Sequence, residues 1–185
     1  MDWMIAAEAI WLILPAYIAN SSAVVIGGGI PIDFGKTWRG KRIFGDGKTW
    51  RGFFGGIVTG ILAGFIMNIF APNTFGKYPV FPFIIFSLSC GALLGDLTKS
   101  FIKRRLGKER GEKWILFDQL DFLIGAFVFS CFISIILEKA GFTSQNWFLS
   151  SFSIWHIIFL LIFTPLIHYA TNIIGYSLRL KKVPW

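Results

Sequence analysis

Five stretches of this chain are each long and apolar enough to cross a lipid bilayer: about 4–26, 53–71, 79–102, 115–137 and 153–178. A helix rises ~1.5 Å per residue, so about 20 residues cover the ~30 Å of hydrocarbon in a membrane. Lipid offers the backbone no hydrogen bonds, and runs of this length satisfy their own polar groups as helices. The expected fold is therefore all-α and integral to the membrane, with five transmembrane helices in a single membrane domain over residues 1–185. A mean hydropathy of +0.64 leaves no segment for a separate soluble domain. Twenty glycines and 21 phenylalanines suit helices that pack closely through small residues and turn rings toward each other or toward acyl chains. The first stretch carries Glu8 and is preceded by no Lys or Arg, so it reads as a retained helix rather than a cleaved signal. Cys90 and Cys131 lie inside apolar stretches, away from any Cys/His cluster, and read as small core residues.

The basic residues orient the bundle. Six (Lys36, Arg39, Lys41, Arg42, Lys48, Arg51) fall between stretches one and two, seven between Lys99 and Lys113, and Arg179, Lys181 and Lys182 close the chain. Only Lys77 and Lys139 occupy the other loops. The positive-inside rule then puts the N-terminus outside, the C-terminus in the cytoplasm, and the loops at about 27–52 and 103–114 on the cytoplasmic side. Such loops could do no more than hold topology and bind anionic headgroups, but that reading leaves the acidic residues unexplained.

On the third stretch Asp96, Lys99, Ser100 and Lys103 stand at i, i+3, i+4 and i+7, one face of a helix. Asp96 lies ~10 Å below the end of that helix, where an unpaired carboxylate is costly and calls for a cation. On the fourth stretch Asp118 and Asp121 also share a face near the cytoplasmic end. Acids are favoured in a helix's first turn in any case. Three carboxylates at one depth, beside Lys103, Arg104, Arg105, Lys108 and Arg110, instead suit a magnesium-bound phosphate ligand, because Mg²⁺ takes few protein oxygens and shares the rest with phosphates and water.

The first cytoplasmic loop repeats GKTWRG, at Gly35 to Gly40 and again at Gly47 to Gly52. Glycine lets a backbone approach a phosphate, Lys and Arg supply charged donors, and Thr adds a hydroxyl. The pattern is not a Walker A loop, which needs glycine where this chain has Ile30 and Arg42. Trp38 and Trp50 could equally be interfacial anchors. Asn20, Ser21 and Ser22 approach the same depth on the first helix, whereas His168, Thr171 and Asn172 read as helix-to-helix hydrogen bonding.

The runs LPAYIAN (Leu14 to Asn20), FGDGKTWRG (Phe44 to Gly52), GDLTKSFIKRR (Gly95 to Arg105) and FDQLDF (Phe117 to Phe122) occur in order along the chain. Together they resemble the CDP-archaeol synthases, relatives of the CDP-diacylglycerol synthases. The resemblance implies a plasma-membrane enzyme that transfers CMP from CTP to an isoprenoid ether-lipid phosphate, 2,3-bis-O-geranylgeranyl-sn-glycerol 1-phosphate, releasing pyrophosphate. It also implies Mg²⁺ dependence and a homodimer; no nucleic-acid partner is expected. The chain departs from the wider family's Asp-Arg-x-x-Asp ending, having Asp118-Gln119-Leu120-Asp121. Asp96, Asp118 and Asp121 are the expected metal ligands and, with Lys103, the catalytic set. Lys48, Thr49, Arg51, Lys99, Ser100, Arg104 and Asn20 are expected to bind CTP and the lipid phosphate. That phosphate is ionised near neutral pH, so the chemistry needs charge neutralisation and alignment rather than a strong base.

Two other enzymes and a transporter compete with this reading. A CDP-alcohol phosphotransferase would place aspartates where Gly64 and Asn68 stand, while a polyprenol kinase shares the CTP chemistry. An ion-coupled transporter would spread its acids through the bilayer, whereas these three gather at one side.

Overall fold

The computed structural model describes residues 3–108, 112, 114 and 117–177, with the backbone alone at 171, 172 and 174–176. The described chain is helical apart from one small hairpin. Helices α1 (Trp3–Ile26), α2 (Trp50–Phe70), α3 (Val80–Arg105) and α4 (Phe117–Lys139) are followed by a short α5 (Trp147–Ser151) and α6 (Ile154–Ser177). Strands β1 (Thr37–Trp38) and β2 (Lys41–Arg42) pair antiparallel between α1 and α2. By length and composition α1 to α4 can each cross a membrane, and α6 adds a shorter apolar stretch, Ile154–Ala170.

Two boundaries reach beyond the apolar runs for local reasons. Helix α2 starts at Trp50 because Thr49 caps it, accepting from the Gly52 N–H at 3.1 Å. Helix α3 continues to Arg105 because Lys103, Arg104 and Arg105 stand in its last turn, where the carbonyl end of the dipole favours cations. Arg110, Lys113, Arg179, Lys181 and Lys182 lie outside the described residues.

The packing is that of a bundle solvated by lipid. Phe54, Val58, Leu62, Ile66 and Ile69 of α2 are exposed, while Gly52, Gly56, Gly60 and Gly64, four residues apart, are buried against α1 and α3. A Cβ on Gly56 would come within 2.6 Å of the Ala19 carbonyl, and one on Gly60 within 2.5 Å of Ser89 Oγ. Ser87, Ser89 and Ser130 are fully buried, and each hydroxyl bonds back to a carbonyl of its own helix. Large apolar side chains such as Phe75, Phe122 and Ile84 fill the interior beside these serines, and the exterior is apolar as well, unlike the surface of a water-soluble bundle. At the end of the bundle away from the basic loops, Trp147 donates to the Thr74 carbonyl at 2.9 Å and packs with Phe75 and Phe152.

Candidate functional site

The repeated hexapeptide folds in two different ways. In the first copy Thr37 and Trp38 form β1, and Arg39 and Gly40 make the hairpin turn with φ of 53° and 74°, the left-handed pair that a tight two-residue hairpin needs. In the second copy Thr49 is the cap of α2 and also accepts from the Gly28 N–H at 3.2 Å, so Trp50, Arg51 and Gly52 become the first helical turn. The hairpin docks on the end of α3. Arg105 donates to the carbonyls of Trp38 at 2.5 Å, Lys41 at 3.1 Å and Arg42 at 2.6 Å, and Trp38 stacks on Phe101.

Asp33 holds this loop together, a role its sequence context gave no charge-based reason to expect. Its carboxylate is buried and accepts from the N–H groups of Gly35, Phe44 and Gly45 and from Arg42 Nε and Nη2. Burial works to raise its pKa, but Arg42 and the three backbone donors outweigh that and hold the carboxyl well below the usual carboxylate range. The Gly45 carbonyl in turn accepts from the Lys48 N–H at 3.2 Å. Asp33 therefore sets the backbone from which Lys48 projects. The Asp33-Phe34-Gly35 turn, closed by the bond from the Gly35 N–H, is the one local signal that could have revealed it.

Helices α3 and α4 approach closely enough to merge their polar faces because glycines line the crossing. A Cβ on Gly95 would lie 2.1 Å from the Asp121 carbonyl, and one on Gly125 2.3 Å from that of Gly91. Lys99 Nζ stands among the three carboxylates, at 3.3 Å from Asp96, 2.7 Å from Asp121 and 3.7 Å from Asp118. Lys48 reaches in from the loop to pair with Asp96. Lys103 holds both oxygens of Asp118 at 3.0 Å, and the Trp114 N–H donates to the same carboxylate at 2.8 Å.

The three aspartates and three lysines expected from the sequence thus form one continuous network. The expected meeting of three carboxylates directly around one ion takes a different form. Among the described residues no three acidic, His or Cys side chains are placed to hold a metal, because the Lys99 ammonium stands between them. The donor set still suits magnesium: the carboxylates are hard oxygen ligands, and Mg²⁺ commonly takes only one or two of them alongside phosphates. Asp121 Oδ2, buried and ion-paired to Lys99, has no aligned hydrogen bond.

Two cavities flank α3 at this network. One, of about 340 Å³, lies between the glycine-rich loop, α1, α2 and α3, and its polar lining includes Gly28, Lys48, Thr49 and Asp96. The other, of about 640 Å³, is an apolar groove between α3 and α4, walled by Leu94, Ile102, Phe117 and Ile124, with Lys99 and Asp121 in its lining. Ser100 is buried on α3. Asn20 is half-buried one turn from Ala23 and does not line the polar cavity, and Arg51 is exposed outside it. Arg104 turns away from both cavities into a third. Asp46, which is not among the site residues expected from the sequence, lines the polar cavity and pairs with Arg42 at 2.5 Å.

A helical bundle with a lipid-type exterior, with a polar cavity and an apolar groove on either side of half-buried ion pairs, defines the class: an integral membrane protein. Comparison with known proteins makes this specific. The CarS-like, CDP-archaeol synthase family model matches residues 2–185. The chain is 48% identical to the CDP-archaeol synthase of Pyrococcus abyssi, covering 96% of this chain and 97% of that one. It is 46% identical to that of Methanoculleus marisnigri, covering 93% and 99%. A solved structure of an intramembrane enzyme for archaeal membrane lipids biosynthesis matches with a TM-score of 0.74 and 36% identity, over 90% of this chain and 94% of that chain. This chain belongs to the CDP-archaeol synthase family.

Proposed function

We propose that the two cavities divide the substrates of a cytidylyl transfer between them, with CTP in the glycine-rich cavity and the isoprenoid glycerophosphate in the apolar groove. The chain is a cytidylyltransferase, and its product is CDP-archaeol. The observation that carries the division is the position of the ion-pair network: Asp96 lines the polar cavity, Asp121 lines the apolar groove, and Lys99 joins them through α3. An aqueous nucleotide and a lipid phosphate entering from opposite sides of one helix would meet there.

In the reaction a lipid phosphate oxygen attacks the α-phosphorus of CTP, a new P–O bond forms, and the bond to the β-phosphate oxygen breaks to release pyrophosphate. The nucleophile is already an anion, so no group of this chain has to remove a proton. Lys48, fixed by the Asp33–Gly45 chain, neutralises CTP phosphates over the open glycine backbone. Lys99 draws the lipid phosphate to the polar end of the groove, and Lys103 holds Asp118 in register with Asp121. Asp96 on one side of Lys99, or Asp118 and Asp121 on the other, would supply the one or two carboxylate oxygens that hold Mg²⁺, which supplies charge neutralisation of the phosphates when bound. The assignment of five crossings, with α6 as the fifth, an outer N-terminus and a site open to the cytoplasm, rests on the sequence, in which sixteen of the 18 basic residues fall between the first and second apolar stretches, between Lys99 and Lys113, and after the last stretch. A plasma-membrane location and a homodimer follow from the family resemblance.

Incubation of purified protein with radiolabelled CTP and the geranylgeranyl ether phosphate tests the reading. Magnesium-dependent label in an extracted liponucleotide is expected. Label in a polyprenyl phosphate instead would favour a kinase, and no labelled lipid with active-site residues intact would refute the transfer.

A further inference from the structure

Arg104 follows Lys103 by one residue, and on a helix that turns its side chain ~100° away. Lys103 faces Asp118, while Arg104 faces the hairpin and lines a separate cleft of about 380 Å³ with Lys41, Arg42 and Lys108. Asp46 is the carboxylate in its lining, and it is engaged by Arg42 at 2.5 Å. Lys108 pairs with Glu112 at 2.7 Å, on the exposed side. Among the described residues Lys41 and Arg104 have no carboxylate partner: Arg104 donates to the Lys108 carbonyl at 2.6 Å, and Lys41 Nζ lies 3.0 Å from where a Gly107 Cβ would stand. Among the described residues the cleft thus presents two cations without a carboxylate partner, seated over glycines: Arg104 Nε lies 3.1 Å from where a Gly45 Cβ would stand, as Lys41 does over Gly107.

Its position gives that charge a use. Asp46 lines both this cleft and the glycine-rich cavity, with Gly45 on the cleft side and Gly47 and Lys48 on the cavity side, so the loop at Asp46 is the wall between them. A phosphate chain bound near Lys48 has carboxylates on its α3 side and the basic cleft across that wall. We propose that the cleft is a pyrophosphate subsite, which receives the leaving group after the bond between the α- and β-phosphates breaks and holds it on its way to water. This rests on the cytidylyl-transfer reading, because that reaction supplies the pyrophosphate. It assigns Lys41 and Lys108 to product release rather than to CTP binding.

The test uses full-length protein in neutral detergent and the double variant Lys41→Gln/Lys108→Gln. Pyrophosphate binding is measured by calorimetry with no CTP or lipid present, so that the anion site is read independently of turnover. Wild type is expected to bind pyrophosphate more tightly than orthophosphate, and the double variant about tenfold or more weakly, as the loss of charge-assisted contacts predicts. Product inhibition by pyrophosphate should weaken by the same factor, while kcat and KM for CTP without added pyrophosphate stay within about twofold. Equal pyrophosphate affinity in wild type and variant overturns the proposal. So does a loss of kcat/KM for CTP as large as the loss of inhibition, which would place both lysines in the CTP site. A third arm compares activity in phosphatidylcholine vesicles with and without phosphatidylglycerol. A variant that loses only its response to the anionic lipid has a headgroup site there, and the proposal falls. Altered pyrophosphate binding in a protein without transferase activity would leave the anion site standing and sink the functional reading instead.

Discussion

Replacing Gly95 with alanine should disable the protein by moving two helices apart rather than by removing any reacting group. The added Cβ would lie 2.1 Å from the Asp121 carbonyl and 3.0 Å from Gly125 Cα, both backbone atoms that cannot swing aside. Restoring an ordinary 3.4 Å contact requires α3 and α4 to separate by about 1.3 Å at this level. That shift stretches the 2.7 Å contact between Lys99 and Asp121 toward about 4 Å, the limit of an ion pair. Overpacking of this kind costs about 1–3 kcal/mol of stability. A displacement of about 1 Å in a positioned group costs on the order of 100-fold in rate. Thermal unfolding in detergent and labelled-CTP transfer measure the two separately, and the expected variant is folded, slightly less stable and about 100-fold slower. Gly55→Ala is the control: the nearest atoms to its Cβ belong to the Ile26 side chain rather than to backbone, away from the carboxylates, and activity should fall less than about tenfold. A Gly95→Ala protein with wild-type turnover would refute the claim that close helix approach assembles the network.

Asp96→Asn and Asp118→Asn should each abolish turnover while the protein remains folded, because each removes the charge of a proposed metal ligand with almost no change in volume; normal rates with normal magnesium dependence would refute the proposed ligation. Asp33→Asn should cost about 1–3 kcal/mol of loop stability, from donors left without an anionic acceptor, and should raise KM for CTP more than that for the lipid. Since the folded pKa of Asp33 lies below its unfolded value near 4, its contribution is complete above that value and is lost as pH falls toward the folded pKa. Tryptophan fluorescence should therefore report loosening of the hairpin in acid, and Asp33→Asn should be loosened already at neutral pH. Glu8→Gln, which weakens a 3.3 Å contact with His156 away from the basic loops, should leave turnover unchanged.

Much of this arrangement was legible because membrane helices write their limits in composition. The polar stripe Asp96, Lys99, Lys103 and the pair Asp118, Asp121 stood out against apolar helices, and the structure brings them together. Less legible was what lies between them. Spacing along α3 puts Lys99 on the carboxylate face but says nothing of its place among three aspartates, which depends on how closely Gly91, Gly95 and Gly125 let α4 approach. The repeated hexapeptide shows the limit from the other side. Identical residues form a hairpin at 35–40 and a helix start at 47–52, because Thr49 meets Gly28 and Gly52 whereas Trp38 meets Phe101 and Arg105. Arg51 and Arg104 carry suitable charge, but the helical turn that each occupies points it away from the polar cavity, which no residue count could reveal.

The division of substrates across α3 is tested most directly by a structure with CTP and magnesium bound in lipid nanodiscs. The phosphates should lie against Lys48 and the glycine backbone at 27–28 and 47, the metal should touch Asp96 or its two partners on α4, and the groove between Leu94 and Phe117 should stay free for lipid. A nucleotide seated in that groove, or a metal distant from all three aspartates, would contradict it.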